Sequence, residues 1–140
     1  MKPPPRDWPR LSVSLHYDDA RAAITWLTRA FGFEVRIIVD GEGGRVAHSE
    51  LTFGEAVVMV SQSTERSPSP KKAGGSTASM FIYVDDADAH CARARAAGAT
   101  ITRELVTNDY GADYWSDRGY GCTDIEGHSW SFAHRVRPAT

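Results

Sequence analysis

His48 and Glu50 stand two residues apart in the run RVAHSELTF (45–53). Residues two apart on a strand share a face, so the imidazole and the carboxylate lie side by side. Such a pair suits a general base or a polar anchor for a ligand; it is equally the composition of an ion pair on a solvated sheet face. His16 sits in a second alternating run, LSVSLHY (11–17), on the polar side with Ser12 and Ser14. It is a further acid/base candidate, or a cap for a neighbouring loop. A third concentration of chemistry is VTNDYGADYWSDRGY (106–120), read as an aromatic loop, in which Tyr110, Tyr114, Trp115 and Tyr120 crowd against Asp109, Asp113, Asp117 and Arg118. Aromatic faces with a few fixed charges suit a planar or cationic small molecule. The competing reading is an aromatic plug at a dimer seam, or a rigid cover over the core.

The elements that must carry these residues follow from periodicity. In residues 11–17, Leu11, Val13, Leu15 and Tyr17 alternate with the polar set, the pattern of a strand with one face on a core. The run 18–32 predicts a helix capped by Asp18 or Asp19, with Ala20, Ile24, Leu27 and Phe31 on one face and Gly32 as its stop. Three branched, aromatic-rich runs follow at 33–40, 45–53 and 56–62, separated by glycine-containing turns, and predict strands joined as hairpins. Residues 63–78 are rich in Ser, Pro, Lys and Gly and read as a mobile linker or lid.

The same order then starts again: a strand at 79–84, a capped helix at 85–98, a strand at 99–106, the aromatic loop, and strands at 118–125 and 127–134. The two DDA triplets begin 67 residues apart, and the helix-ending glycines Gly32 and Gly98 lie 66 apart. That spacing predicts a tandem βαβββ repeat. The boundaries are an extended N-terminal tail at 1–10, which holds four prolines, a first module at 11–62, the linker at 63–78, and a second module at 79–136. Trp130 and Phe132 alternate with small residues and are expected in the helix-packing core. Trp26 is expected in the core or at a dimer contact, and Arg93 and Arg95 on a solvated helix face.

At 140 residues the chain is one ordinary domain by length, large enough to bury a core without staples. Sixteen Lys and Arg against eighteen Asp and Glu give a net charge of −2, which supplies no basic field for nucleic acid or an anionic membrane. No apolar run approaches the roughly 20 residues that span a bilayer, and the proline-rich start lacks a secretory core, so a cytoplasmic location is expected. Cys91 and Cys122 have no CxxC spacing and read as structural thiols in a reducing compartment.

The blocks YDDARAAITWLTRAFGFEV (17–35), YVDDADAHCARARAAGATI (83–101) and DIEGHSWSFA (124–133), in this order, resemble the vicinal oxygen chelate superfamily of glyoxalases, bleomycin-resistance proteins and dioxygenases. Ile125, where proline is usual, is a minor departure. The resemblance covers residues 11 to about 136. It implies an α+β fold in which tandem βαβββ modules form a curled mixed-sheet cup, with helices outside and the ligand inside. Ser12, Ser14 and His16 would then face the cup, and Phe81 and Tyr83 would line it beside Ser79.

Metalloenzymes of this superfamily draw their ligands from the first and fourth strands of each module, positions that correspond here to Ser12, Met59, Ser79 and Ser131. Neutral hydroxyls and a thioether do not hold the divalent cations these enzymes use. The expectation is therefore no metal, no cofactor, and a small organic molecule bound in a metal-free cup, as in drug sequestration, by a homodimer. Two alternatives stay open: a metal-independent lyase or isomerase using His16 or His48 as acid/base, with Ser12, Ser79 or Ser131 donating hydrogen bonds, and a metalloenzyme with displaced ligands at His16, His48 and Glu50.

Overall fold

A computed structural model describes residues 1–140. The first strand, β1 (Val13–Tyr17), buries Leu15 and Tyr17 on one face and leaves Ser14 and His16 on the other. Helix α1 (Ala20–Phe31) follows. Of the two aspartates it is Asp19 that caps it, accepting from the Ala22 N–H at 3.0 Å, and Gly32 ends it at φ 85°, a left-handed conformation that glycine adopts without strain. Ala23, Ile24, Leu27 and Phe31 are buried on the side that meets the sheet, and Trp26 is buried with them, edge-on to Phe31 at 5.0 Å. β2 (Glu34–Asp40), β3 (Val46–Phe53) and β4 (Ala56–Gln62) complete a four-stranded sheet in the order β1-β4-β3-β2, with β1 parallel to β4 and the other pairs antiparallel.

The stretch read as a linker begins by packing onto this unit. Ser63 donates its backbone N–H to the Tyr17 carbonyl at 2.8 Å and its hydroxyl to Asp18 at 2.7 Å. A one-turn helix, α2 (Pro70–Ala73), is capped by the buried Ser69 and places Lys72 3.4 Å from Asp18. Asp18, which loses the cap role to Asp19, gathers this segment instead.

The N-terminal tail also departs from an extended strand of prolines. It turns on itself through Trp8 N–H to Pro5 O at 3.2 Å and Arg10 to Lys2 O at 2.8 Å. Trp8 lies under the Arg36 guanidinium, 4.8 Å from the ring centroid, and Arg36 donates to the Asp7 carbonyl at 3.0 Å. Proline density signals rigidity without naming a partner; a cation 28 residues away supplies one.

The second unit repeats the plan. β5 (Ser79–Tyr83) leads to helix α3 (Ala87–Ala96), capped by Asp86, and then β6 (Thr100–Asp109), β7 (Ser116–Thr123) and β8 (Ser129–Arg137) form a sheet in the order β5-β8-β7-β6. The parallel pair is again first strand with last, β5 with β8. β6 runs three residues further than the sequence suggests, and β7 begins two residues earlier. Thr107, Asn108 and Asp109 pair with Arg118, Asp117 and Ser116, so the aromatic loop shrinks to residues 110–115. Trp130, Tyr120 and Phe132 are fully buried on the helix side, Trp130 and Phe132 stacked with 3° between their planes. Burying side chains of this size stabilises by about 1.5–3 kcal/mol each.

Cys91 and Cys122 are both unpaired and buried. Burial disfavours the thiolate and pushes Cys91 up and Cys122 up to about 12. A thiol reagent at pH 8 is therefore expected to label neither in the native protein and both after denaturation; rapid labelling of either in the native state would contradict the packing. No helix is long and apolar enough to cross a membrane.

Candidate functional site

Each sheet has a helix-covered face and an open face, and the register decides which residues share the open one. In the first unit, β1 pairs Ser14 with Met59 and His16 with Ser61, and β3 pairs Glu50 with Met59. Ser14, His16, Glu50, Met59 and, two residues from Glu50, His48 therefore lie on one face, as alternation requires. His16 Nδ1 shares a hydrogen bond with the Ser61 hydroxyl at 3.2 Å. Ser12, just before β1, has a buried hydroxyl oxygen with no hydrogen-bond partner.

His48 and Glu50 do meet, and a third residue joins them. His48 Nε2 lies 3.1 Å from Glu50 Oε1, and Arg36 Nε donates to Glu50 Oε2 at 2.7 Å. Arg36 stands at a β-bulge in β2, between Val35 and Ile37, which brings it opposite Glu50. The bulge left no signal in the sequence. The His48 hydrogen bond, then Arg36, hold the Glu50 carboxyl below its usual range against the opposing effect of burial. A carboxyl so depressed adds stability that is present above its unfolded value, near pH 4.3, and is lost as pH falls through the folded value. Glu50→Gln removes that contribution. The melting temperature of the parent is expected to fall more steeply than that of Glu50→Gln between about pH 5 and pH 3; parallel pH profiles would show that the carboxylate is not held.

On the second sheet, β5 pairs Ser79 with Ser129 and Phe81 with Ser131, and β7 pairs Gly119 with Ala133. The open face thus runs from three serines to an aromatic cluster. The Ser129 hydroxyl donates to Ser79 at 3.4 Å. Phe81 stands edge-on to Tyr83 with centroids 5.2 Å apart. The Tyr83 hydroxyl donates to Asp117 at 2.9 Å, and Arg135 donates to Asp117 through Nε and to the Tyr83 oxygen through Nη2. The Arg135 guanidinium lies 5.1 Å from the centroids of both Tyr83 and Trp115. Trp115 in turn neighbours Tyr110 at 5.8 Å and Tyr114 at 6.2 Å. Burial, first, and the Asp117 hydrogen bond raise the Tyr83 hydroxyl above its ordinary value, so it is neutral and a donor.

Asp117 is buried while Phe81 and Tyr114 stay more than half exposed, so a fixed ion pair underlies an open aromatic surface. Gly119 keeps the floor low. A Cβ there would lie 2.5 Å from the Phe132 carbonyl oxygen, so only glycine allows β7 to approach β8 this closely.

Arg118, expected among the pocket residues, is on the other face. It grips Asp88 of α3 with Nε and Nη2, both at 2.7 Å. The charged residue on the aromatic side is Arg135, which the sequence reading missed because its partners, Tyr83 and Trp115, are 52 and 20 residues away.

The family's cation does not fit the residues present. Ser79 and Ser131 offer neutral hydroxyls, Met59 a thioether, and Ser12 a single orphaned hydroxyl, none a strong ligand for a hard or borderline ion. Of the displaced set, His48 and Glu50 bind each other and Arg36, while His16 shares its hydrogen bond with Ser61. The side chains whose ligand atoms do converge, within 4.8 Å, are Asp86, Asp88 and His134 at the start of α3. Each is already committed: Asp86 caps the helix, Asp88 holds Arg118, and His134 Nδ1 accepts from the Ala87 N–H at 2.9 Å.

Comparison with known proteins adds the lineage. A family model described as "Glyoxalase/Bleomycin resistance protein/Dioxygenase superfamily" matches residues 11–132. An uncharacterized protein of Mycobacterium bovis is 32% identical over 134 residues, covering 92% of this chain and 85% of that one. Among solved structures, TioX from Micromonospora sp. ML1 aligns with a TM-score of 0.72 at 31% identity, over 91% of this chain and all of the other. TnmS3, an antibiotic binding protein from Streptomyces sp. CB03234, aligns with a TM-score of 0.63 at 16% identity, over 91% and 97%.

Proposed function

Because the chain belongs to the Glyoxalase/Bleomycin resistance protein/Dioxygenase superfamily, we propose that it binds a small planar organic molecule on the open face of its second sheet, without a metal ion, and that binding is itself the function. The observation that carries this reading is the arrangement around Arg135, a guanidinium flanked by Tyr83 and Trp115 and neutralised by the buried Asp117. Large apolar side chains left exposed beside a satisfied ion pair form a surface that gains by being covered. Arg135 Nη1 makes no hydrogen bond within the chain, so a ligand carbonyl finds a donor there while its ring meets the aromatic faces. The fold is one that TnmS3, described as antibiotic binding, also uses.

The test is calorimetric titration of the purified chain with a panel of neutral planar aromatics, acridine and naphthalene derivatives among them, with and without added divalent metal. Binding unaffected by metal or chelator, with the probe recovered unchanged, supports sequestration. A probe that binds only with metal, or is converted to product, contradicts it.

A further inference from the structure

The first unit holds a cleft of its own, about 690 Å³ in volume. Its roof is the N-terminal tail from Pro3 to Pro9, and its floor and walls are Arg36, Thr52 and Val57 of the sheet, with Glu55 at the β3–β4 turn. Arg36 keeps the roof in place. It joins the Asp7 carbonyl, the Trp8 ring and Glu50, so the clamp that holds the tail is tied into the sheet at both ends.

The lining sets the chemistry of an occupant. Proline rings and the Trp8 indole present rigid apolar surface whose ordering is already met by the fixed backbone angles of proline. The positive charge of Arg36 is matched by Glu50 at 2.7 Å. Asp7 meets Arg36 through its backbone carbonyl, and its side chain, 86% exposed beside Arg6, is screened by solvent; Glu55 is the acidic residue of the lining with no ion-pair partner. Flat apolar walls with Glu55 as their one unmatched charge favour a planar ring that carries a positive charge and disfavour its anionic counterpart.

We propose that this tail-roofed cleft is a second binding site, for a planar aromatic cation, with Trp8 as its stacking surface. The site does not rest on the function proposed for the second sheet. To keep the two apart, the titration is run in a Phe81→Ala/Trp115→Ala double variant, which lacks the two rings argued to carry binding on the second sheet. The probes are 9-aminoacridine, cationic at pH 7, and 9-anthracenecarboxylate, an anion of similar shape, followed by fluorescence. The expected result is saturable binding of 9-aminoacridine, weakened about tenfold or more by Trp8→Ala, and weakened about threefold by Glu55→Lys, which also strengthens the anion. Three results overturn the proposal: no binding of the cation, binding by Trp8→Ala within about twofold of its parent, or equal affinity for the two probes. Thermal melts of both variants check that the sheet is intact, so a loss of binding reports on the cleft.

Discussion

Asp124→Ala is expected to lower stability by about 4 kcal/mol. Asp124 is 5% exposed, and its two oxygens accept from three donors: the Glu126 N–H at 3.0 Å, the His128 N–H at 3.1 Å and Trp130 Nε1 at 3.0 Å. Truncation leaves those donors buried without an acceptor, and each such loss costs about 1–3 kcal/mol. The loop between β7 and β8 is bound to the same residue through its backbone, Asp124 N–H to His128 O at 3.0 Å and Gly127 N–H to Asp124 O at 3.2 Å. In a domain of this size the loss corresponds to roughly 10–15 °C in melting temperature. Asp124→Asn keeps one acceptor oxygen and is expected to lose about half as much. A melt of Asp124→Ala within about 3 °C of the parent would contradict the geometry.

The second large effect is on binding. Trp115 and Phe81 are 36% and 56% exposed, unusual for side chains of their size. A planar ligand that covers roughly 80 Å² of either ring gains about 2 kcal/mol at 25 cal/mol per Å². Trp115→Ala or Phe81→Ala is accordingly expected to weaken binding about thirtyfold, while melting temperature changes little, because neither side chain is in the core. Arg135→Ala has a different expected signature. It leaves Asp117 buried without its cation and so lowers stability as well as affinity. Trp115→Ala binding within about twofold of the parent, by calorimetry, would remove the aromatic face from the site.

Period-two alternation explains why so much of the fold could be read directly. Leu15 and Tyr17 against Ser14 and His16, or Trp130 and Phe132 against Ser129 and Ser131, fix which face of each strand is buried without any knowledge of partners. Helix ends were legible for the same local reason, the first cap to within one residue, Asp18 or Asp19, and the stop at Gly32. What failed was long-range. Starting the seventh strand at Arg118 instead of Ser116 obscured that Asp117 pairs upward with Arg135 while Arg118 turns down to Asp88. The docking of the tail was equally out of reach of local pattern, since Trp8 and Arg36 meet across 28 residues of chain. For the site, the candidates Phe81, Tyr83 and Trp115 come together on one face, and the ion pair that organises them was invisible because its two halves come from different strands.

The most direct single measurement is a crystal structure of the chain soaked with acridine. The expected density is a planar ring against Phe81, Tyr83 and Trp115, within reach of Arg135. A ring seated elsewhere with these side chains uncovered, or an ion held by Ser79 and Ser131, would contradict the proposed site.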